Sequence, residues 1–419
     1  MRVEPAARIV GHVAVPGDKS VSHRSVLVGA LSEGETRIHG FGRSGDTEST
    51  IAAVRALGAF VDDGDDREIV VHGADFRDAA IDCGNAGTLL RLITGLLAGR
   101  DGAWTLTGDE SLSTRPMERV AAPLRRMGAA VETTEGHLPL TIAGSTLRGI
   151  EYELPVASAQ VKSAILLAGL RAAGPTTVVE PTPTRDHTEL MLEAAGIPVR
   201  RRPTSVTIEP GTPRLPQVTV PGDISSAAPL LAAAALLPGS DLTVHDLGLN
   251  PRRTGLLEVL ERMGARISVF NRRREGREPA GAVQVQYEEL VATEVHAREV
   301  PTLVDELPLV ALLAAHARGK TRIRGAEELR VKESDRIEAV TDALRACGAR
   351  ISSHEDGWTI TGVPARLRGG RVDAVGDHRI AMLGAIAGLA SREGVEVRGA
   401  ETVAISFPGF YELLDTVSQ

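Results

Sequence analysis

The sequence predicts an α/β (α+β) fold of two similar domains, and three observations lead to this prediction. Ala, Leu, Val and Gly are plentiful while aromatic residues make up 3% of the 419-residue chain, so an aliphatic core of helices packed on sheets is expected. Five apolar helical patterns each end in a glycine followed by a short strand-like segment. A Pro-Gly-Asp turn occurs twice, 205 residues apart, which suggests that one domain plan is used twice.

The five glycines define a repeat. Glycine just past an apolar helical pattern is the expected left-handed helix end, and segments such as GWTITG after it are typical of short strands. The five positions are spaced by 70, 68, 68 and 84 residues, too long for a solenoid, and six such copies would fill the chain. A chance recurrence of Gly-Ala is the alternative. The repeat glycines are Gly58, Gly128, Gly196, Gly264 and Gly348.

The two Pro-Gly-Asp turns divide the six copies into two sets of three. VPGDKS ends at Ser20 and VPGDIS ends at Ser225, and Pro and Gly suit a hinge because one fixes φ and the other permits unusual φ. We expect the chain to cross between the domains at each turn. The predicted boundaries are a discontinuous C-terminal-type domain of residues 1–16 plus 223–419, an N-terminal-type domain of residues 17–222, and a two-strand hinge near 16–18 and 221–223.

Composition excludes several classes of protein. A formal charge of −8 and a pI near 5.8 argue against a general nucleic-acid binder, so any anion site must be local. Two distant cysteines predict neither a disulfide framework nor a zinc site and favour a reducing cytoplasm. The first residues lack the apolar core of a signal peptide, and the longest apolar run, 227–237, is too short to span a bilayer. We therefore expect a soluble, cytoplasmic protein without a metal.

Several arginines recur at one place in the repeat. Arg115, Arg185 and Arg336 lie 13, 11 and 12 residues before their repeat glycines, and Arg252 and Arg253 occupy the same place in the fourth copy. Each position is the N-terminal end of a predicted helix, where free N–H groups and the helix dipole favour anions. Such ends could converge on a cleft between the domains as an anion site. The alternative is that these arginines are solvated or pair with nearby Asp and Glu.

Nine ordered motifs carry a resemblance to a known family: GDKSVSHR, GNAGT, STRPM, SAQVKSA, TRDHTE, VDELP, RVKESDR, GDHRIAM and SFPGF. Together they resemble the 5-enolpyruvylshikimate-3-phosphate (EPSP) synthases, over residues 16 to about 411, and SAQVKSA and TRDHTE are similar to the subgroup called class II. The resemblance implies two domains, each of three βαβαββ units around a pseudo-threefold, with the active site in the interdomain cleft.

The resemblance also implies the reaction. The family transfers the enolpyruvyl group of phosphoenolpyruvate to the 5-hydroxyl of shikimate 3-phosphate and releases phosphate through a tetrahedral intermediate, in the shikimate pathway to chorismate and the aromatic amino acids. The chemistry needs general acid–base groups and fixed cations, so no cofactor is expected. The two substrates are the expected partners, and a monomer that binds neither nucleic acid nor membrane is expected.

Family roles pass to this chain motif by motif. By this analogy Glu333 handles the carbon-bound proton, Asp305 contacts the attacking hydroxyl, and Lys19 is the third catalytic residue. The residues implied for shikimate 3-phosphate are Lys19, Ser20, Arg24, Ser158, Ala159, Gln160, Arg185, Asp305 and Lys332. Those implied for phosphoenolpyruvate are Lys19, Gly87, Arg115, Gln160, Glu333, Arg336 and Arg379.

This sequence departs from the commoner family pattern at a few positions. Ile405 stands where many relatives carry a Lys before the final motif, so one anion contact is missing or supplied elsewhere. Ala159 replaces a phosphate-binding Ser, which leaves Arg185 as the substitute. Gly87 suggests sensitivity to glyphosate, because Ala at this position is associated with tolerance in the family, although Leu92 in place of a frequent Pro complicates that inference.

Two other functions are alternatives. The sister enzyme that transfers enolpyruvyl to UDP-N-acetylglucosamine usually has Lys-Asn where Lys19 and Ser20 stand, and a reactive Cys that GDESLSTRPM lacks. A non-catalytic binder of phosphorylated metabolites could use the same cations. It would gain little from the carboxylates Asp305 and Glu333, which speaks against it.

Overall fold

The computed structural model describes residues 1–65 and 68–419. Its strands are β1 (Arg2–Val3), β2 (Val10–Ala14), β3 (Glu35–His39), β4 (Phe60–Asp65), β5 (Glu68–His72), β6 (Ala79–Asp82), β7 (Ala103–Thr107), β8 (Ala130–Thr134), β9 (His137–Ala143), β10 (Leu147–Arg148), β11 (Glu151–Glu153), β12 (Ala172–Ala173), β13 (Thr176–Val179), β14 (Val199–Arg202), β15 (Ser205–Ile208), β16 (Gln217–Thr219), β17 (Asp241–Gly248), β18 (Arg266–Glu275), β19 (Glu278–Gln286), β20 (Glu294–Val295), β21 (Gly319–Ile323), β22 (Arg350–His354), β23 (Gly357–Gly362), β24 (Gly370–Asp373) and β25 (Val395–Arg398).

Helices alternate with these strands along the chain. The α-helices are α1 (Lys19–Leu31), α2 (Gly45–Leu57), α3 (Gly87–Leu97), α4 (Glu110–Ser113), α5 (Glu118–Met127), α6 (Ala159–Gly169), α7 (His187–Ala194), α8 (Ile224–Leu236), α9 (Gly255–Arg262), α10 (Leu307–His316), α11 (Arg336–Ala346), α12 (His378–Leu389) and α13 (Phe410–Val417). Short 3-10 helices cover Val300–Thr302, Val304–Glu306, Glu327–Val331 and Ala400–Ile405. No helix in the described parts of the chain combines the length and the apolar character needed to cross a membrane.

By its internal contacts the chain divides into two units. Unit 1 comprises Met1–Pro16, Pro221–Arg274 and Pro279–Gln419, and unit 2 comprises Gly17–Val220 with Glu275–Glu278. Each unit has one large hydrophobic core of its own. The domain boundaries and the hinge inferred from the Pro-Gly-Asp turns stay predictions.

Unit 2 contains three four-stranded sheets with one strand order. In each sheet the first pair of strands is parallel and the second pair is antiparallel. The second and third sheets follow the chain order βαβαββ that was predicted, while the first sheet takes its outer strand, β16, from the end of the unit. The three sheets have the orders β16-β3-β5-β4, β6-β7-β9-β8 and β11-β13-β15-β14.

Unit 1 repeats this plan twice and then departs from it. The sheets β2-β17-β19-β18 and β20-β21-β23-β22 have the same parallel and antiparallel pairs. The last sheet has only three strands, β24-β25-β1, and its antiparallel strand comes from the start of the chain. The sixth copy thus lacks the predicted final hairpin, because helix α13 and strand β1 take its place.

Two kinds of helix fill the units. Helices α1, α3 and α6 of unit 2 and α8, α10 and α12 of unit 1 are buried on all sides, as their apolar sequences require. The helices that end at the repeat glycines are amphipathic; α5, for example, buries only one face. The sequence repeat was detected on these amphipathic helices, and the all-apolar ones were not separately recognised.

The repeat glycines confirm the predicted helix ends. Each lies at or just past the end of its helix with φ between 81° and 108°, the left-handed region that a side chain disfavours. The helices that they end are α2, α5, α7, α9 and α11.

Candidate active site

The predicted site residues fall into two groups, one in each unit, and each group is described by itself. The group in unit 2, called the unit 2 cluster, is Lys19, Ser20, Arg24, Gly87, Arg115, Ser158, Ala159, Gln160 and Arg185. The group in unit 1, called the unit 1 cluster, is Asp305, Lys332, Glu333, Arg336 and Arg379.

Several of the buried helices carry predicted site residues at their N-terminal ends. In these six helices the only residues that are not buried are in the first two positions. These residues are Lys19, Ser20, Thr88, Ala159, Gln160 and Arg379, and all but Thr88 are predicted ligands. A helix N-terminus offers free N–H groups and a positive dipole end, so these positions favour bound anions.

Arg24 of helix α1 is held by neutral groups. It is 4% exposed, and its guanidinium donates to Thr188 Oγ1 at 2.7 Å, to the Ser20 carbonyl at 2.9 Å and to Ser163 Oγ at 3.0 Å. Burial lowers the pKa of Arg24 to about 10, although Glu189 opposes this shift. Arg24 is therefore charged at neutral pH without a carboxylate among these three acceptors.

Arg185 lies in the loop before helix α7, and its positive charge interacts with that of Arg24. Burial is the main cause of the lowered pKa of Arg24, and the positive charge of Arg185 lowers it further. Ser158 is the cap of helix α6, and its hydroxyl accepts from the Val161 backbone N–H at 3.4 Å. Arg24 of α1 contacts both α6 and α7 through its bonds to Ser163 and Thr188.

Gly87, the first residue of helix α3, lies against two arginines. A Cβ at this position would be 2.7 Å from Arg91 Nη1 and 2.9 Å from Arg115 Nη1. Arg91 Nη1 donates to the Gly87 carbonyl at 3.0 Å, and Arg115 Nη2 donates to Asn85 Oδ1 at 2.9 Å. Arg91 was not predicted, although its position four residues after Gly87 on the same helical face was a usable signal.

Helices α3 and α6 cross closely and so align their first turns. A Cβ on Gly95 would lie 2.1 Å from the Ala164 carbonyl oxygen, so only glycine permits this approach. At the N-terminal ends, Gln160 Nε2 donates to Thr88 Oγ1 at 3.0 Å. Gln160 thereby contacts Thr88, the residue that directly follows Gly87; its role as a ligand stays a prediction.

Lys19 forms an ion pair at the start of helix α1. Its Nζ is 2.8 Å from Asp46 Oδ2, with the Lys side chain 24% exposed. Below it, His23 is fully buried, with Nδ1 2.6 Å from Thr50 Oγ1. Burial lowers the pKa of His23 to about 3; Asp46 opposes the shift, and Lys19 and Arg24 add to it. His23 is therefore neutral at physiological pH.

Arg336, the first residue of helix α11, is the centre of the unit 1 cluster. It is 1% exposed, and its guanidinium lies 2.8 Å from Asp377, 2.5 Å from Glu333 and 3.4 Å from Asp305. Burial alone would lower the pKa of Arg336, but the attraction of Asp377 and Glu333 outweighs burial and raises it. Both predicted catalytic carboxylates therefore contact one permanently charged arginine.

Asp305 has further cations around it. Lys332 Nζ is 3.7 Å from Asp305 Oδ1, and Arg253 Nη1 is 3.9 Å from Asp305 Oδ2. Arg253 is 4% exposed and also donates to Ser225 Oγ at 2.7 Å. Arg253 lies at the repeat position where arginines recur, but it is outside the nine family motifs.

Arg379 is tied to the same cluster through two carboxylates. Its backbone N–H donates to Asp377 Oδ1 at 2.9 Å, and its Nη1 lies 3.4 Å from Glu306 Oε1. The Ser225 hydroxyl donates to the same oxygen of Glu306. All five predicted residues of unit 1 thus belong to one network of cations and carboxylates, which can hold an anion and also move protons.

The chain is similar over most of its length to known proteins of one family. The family model of EPSP synthase (3-phosphoshikimate 1-carboxyvinyltransferase) matches residues 3–414. A 3-phosphoshikimate 1-carboxyvinyltransferase of Anaeromyxobacter is 52% identical over 410 residues, which are 97% of this chain and 95% of the relative. One of Acidithiobacillus ferrooxidans is 48% identical over 414 residues, again 97% and 95% of the two chains.

Solved structures give the same result. The EPSP synthase of Acinetobacter baumannii has a TM-score of 0.89 and 42% identity over 100% of this chain and 97% of that one. The enolpyruvyl transferase NikO of Streptomyces tendae, at 22% identity and a TM-score of 0.80 over 99% and 96% of the two chains, shares the fold. From the family match over nearly the whole chain and relatives this similar, we conclude that the chain belongs to the EPSP synthase (3-phosphoshikimate 1-carboxyvinyltransferase) family.

Proposed function

We propose that this chain transfers the enolpyruvyl group of phosphoenolpyruvate to the 5-hydroxyl of shikimate 3-phosphate and releases phosphate. The observation that carries the proposal is the contact of Asp305 and Glu333 with the same buried guanidinium, that of Arg336. A site that only bound phosphates would gain little from two such carboxylates among its cations.

Each substrate has its own set of proposed ligands, and Gln160 belongs to both sets. Ser20, Arg24, Ser158, Gln160 and Arg185 bind shikimate 3-phosphate, and Arg185 replaces the phosphate contact that Ala159 cannot make. For phosphoenolpyruvate the proposed ligands are Lys19, Gly87, Arg115, Gln160, Arg336 and Arg379. Lys332 and Asp305 are proposed as further ligands of the first substrate. The planar fork of each arginine suits bidentate contact with phosphate or carboxylate.

The proposed reaction has three proton transfers, two in the addition step and one in the elimination step. Glu333 gives a proton to the methylene carbon of phosphoenolpyruvate while the 5-hydroxyl attacks the adjacent carbon and gives its proton to Asp305. In the tetrahedral intermediate that results, the Glu333 carboxylate takes a proton back from the new methyl group, the C–H electron pair forms the new C=C bond, and phosphate leaves with the electron pair of its C–O bond. Arg336 stabilises negative charge beside both carboxylates throughout.

Three finer properties belong to the same proposal. The reaction takes place in the cytoplasm, and the active form is a monomer. Glyphosate competes with phosphoenolpyruvate beside Gly87. The guanidinium ends of Arg91 and Arg115 lie close to the position that a Cβ of this residue would take.

A phosphate-release assay with both substrates tests the function. Turnover is expected with shikimate 3-phosphate, and turnover with UDP-N-acetylglucosamine in its place would instead support the sister reaction. No phosphate release with shikimate 3-phosphate would refute the proposal.

Glu333→Ala tests the role of the carboxylate. It should lose about 10²-fold or more in kcat, as expected for a general acid, while still binding shikimate 3-phosphate. Glu338→Ala is the matched control, because Glu338 is an exposed carboxylate that contacts Arg330 on the surface. Equal activity of the two variants would contradict the assignment of Glu333.

A further inference from the structure

A buried group of three charges lies behind the unit 2 cluster. Lys162 Nζ of helix α6 is 2.7 Å from Glu189 Oε1 of helix α7 and 3.0 Å from Glu180 Oε1, and the three side chains are 1%, 3% and 8% exposed. None of the three was among the predicted site residues. Burying an ammonium group is costly even when it is paired, so such a group is weak as a source of stability alone.

One side of the group holds the loop that carries Arg185. Glu180 Oε1 accepts a hydrogen bond from the backbone N–H of Thr184 at 3.0 Å and another from the Thr184 hydroxyl. Thr184 directly precedes Arg185 in the chain. Glu180, itself bound by Lys162, therefore fixes the backbone from which the Arg185 side chain extends.

The other side of the group holds Arg24. Ser163 and Thr188 directly follow Lys162 and precede Glu189 in their helices, and their hydroxyl oxygens are 2.7 Å apart. Arg24 donates to both of these hydroxyls. The ion pair between Lys162 and Glu189 therefore joins the two helices at the level where they orient the Arg24 guanidinium.

The group also supports the charge of Arg24. One ammonium faces two carboxylates, and Glu189 Oε2 is buried without a hydrogen-bond partner in the described structure. Glu189 acts against the burial that lowers the pKa of Arg24. Burial raises the pKa of Glu189 itself, and Lys162 opposes this rise. The three residues thus orient one arginine and a loop bearing another.

We propose that Lys162, Glu180 and Glu189 are positioning residues for shikimate 3-phosphate. They touch no substrate themselves, but they set the places of Arg24 and Arg185, two of its ligands in the proposed function on which this inference rests. Phosphoenolpyruvate has no ligand held by this group. Loss of the group should therefore weaken the binding of shikimate 3-phosphate and leave the binding of phosphoenolpyruvate unchanged.

Two variants of Glu180 form the central test. Glu180→Leu removes the acceptor for Thr184, and we expect the KM for shikimate 3-phosphate to rise at least tenfold while the KM for phosphoenolpyruvate stays within about twofold. Glu180→Gln keeps an oxygen for Thr184 and Lys162, and it should restore the first KM to within about threefold of the unaltered chain. Lys162→Met should reproduce the effect of Glu180→Leu.

Thr36→Val is the control for lost stability alone. Its hydroxyl is buried in strand β3, outside the site motifs, and donates to the Leu215 carbonyl, so this variant should keep both KM values. All assays use the full chain at a temperature where circular dichroism shows each variant folded. If Lys162→Met does not fold, the two Glu180 variants decide.

Calorimetric titration with shikimate 3-phosphate separates the two proposals. Failure of the unaltered chain to bind it would overturn the proposed function. Binding by the unaltered chain, with an unchanged KM for shikimate 3-phosphate in folded Glu180→Leu or with equal changes in both KM values, would overturn the positioning role.

Discussion

Arg24 in unit 2 and Arg336 in unit 1 are both almost completely buried, yet they are held in opposite ways. Arg24 donates to two hydroxyls and a carbonyl, whereas Arg336 contacts three carboxylates. Burial lowers the pKa of Arg24 to about 10, while Asp377 and Glu333 outweigh burial and raise that of Arg336. The same side chain therefore has two different electrostatic environments.

The two electrostatic environments predict different roles for the two arginines. A guanidinium whose acceptors are all neutral is not neutralised by a carboxylate, so its positive charge can attract a bound anion. Its burial lowers the stability of the folded chain, and binding of an anion raises that stability again. A guanidinium among carboxylates is needed by the folded chain itself, because removing it leaves buried negative charges uncompensated. The comparison predicts that Arg336 variants lose stability and Arg24 variants lose mainly affinity.

The largest effect is expected for Arg336→Met. The change leaves Asp377, Glu333 and Asp305 without their common partner, so the free energy of unfolding should fall by about 3–5 kcal/mol. Activity should be lost as well. Urea denaturation of the full chain measures the change.

Arg330→Met is the matched control for this prediction. Arg330 pairs with Asp335 on the surface, with 28% of its side chain exposed, and its loss should cost no more than about 1 kcal/mol. Similar losses for the two variants would show that the carboxylates around Arg336 are not specially dependent on it.

The second-largest effect is expected in the pH dependence of stability, and His23 is its cause. The pKa is 6.5 in the unfolded chain and about 3 in the folded one, because burial, reinforced by Lys19 and Arg24, opposes a further positive charge. Below pH 6.5 the unfolded chain takes up a proton that the folded chain does not, so stability falls as pH falls from 6.5 towards 3. The part due to His23 should reach about 3 kcal/mol between pH 6.5 and pH 4.

His23→Asn isolates that part. Urea denaturation of the unaltered chain and the variant at pH 7, 5.5 and 4 should give curves that converge as the pH falls, because Asn does not titrate. A constant difference at all three pH values would mean that His23 takes up its proton in the folded chain too.

Arg24→Met should show the opposite balance to Arg336→Met. The KM for shikimate 3-phosphate should rise at least tenfold, while the free energy of unfolding changes by less than about 1 kcal/mol, because Ser163 and Thr188 can still pair with each other. Arg24→Lys keeps the positive charge but loses the planar guanidinium, so its KM should lie between that of the unaltered chain and that of Arg24→Met. A stability loss as large as that of Arg336→Met would break the comparison.

The features predicted from the sequence are those that local signals determine. The glycines that end α5 and α11 need φ above zero, so a short apolar pattern before each was enough to place the helix end. Arg336 begins its helix as predicted, and Arg185 lies just before another. Fold class and the family motifs followed from such short segments.

The features that were missed depend on contacts across the fold. Lys162 lies in an apolar helix, and its partners Glu180 and Glu189 are 18 and 27 residues further along, a separation that no helical or strand period connects. Strand β1 completes the sheet of the sixth copy from the other end of the chain. Such pairings arise only when segments that are distant in the chain pack together.

The smallest effect is expected for Gly87→Ala. Its methyl group would lie 2.7 Å from Arg91 Nη1 and 2.9 Å from Arg115 Nη1, so two guanidinium groups must shift, but these are the ends of flexible side chains and keep their charge. The KM for phosphoenolpyruvate should rise less than tenfold, and the free energy of unfolding should change by less than about 1 kcal/mol, since Ala is favoured over Gly in a helix. The inhibition constant of glyphosate should rise more than this KM, because the methyl crowds the inhibitor as well. An unchanged inhibition constant would rule out the steric explanation of tolerance and leave the position of Arg115 as the only effect of the methyl group.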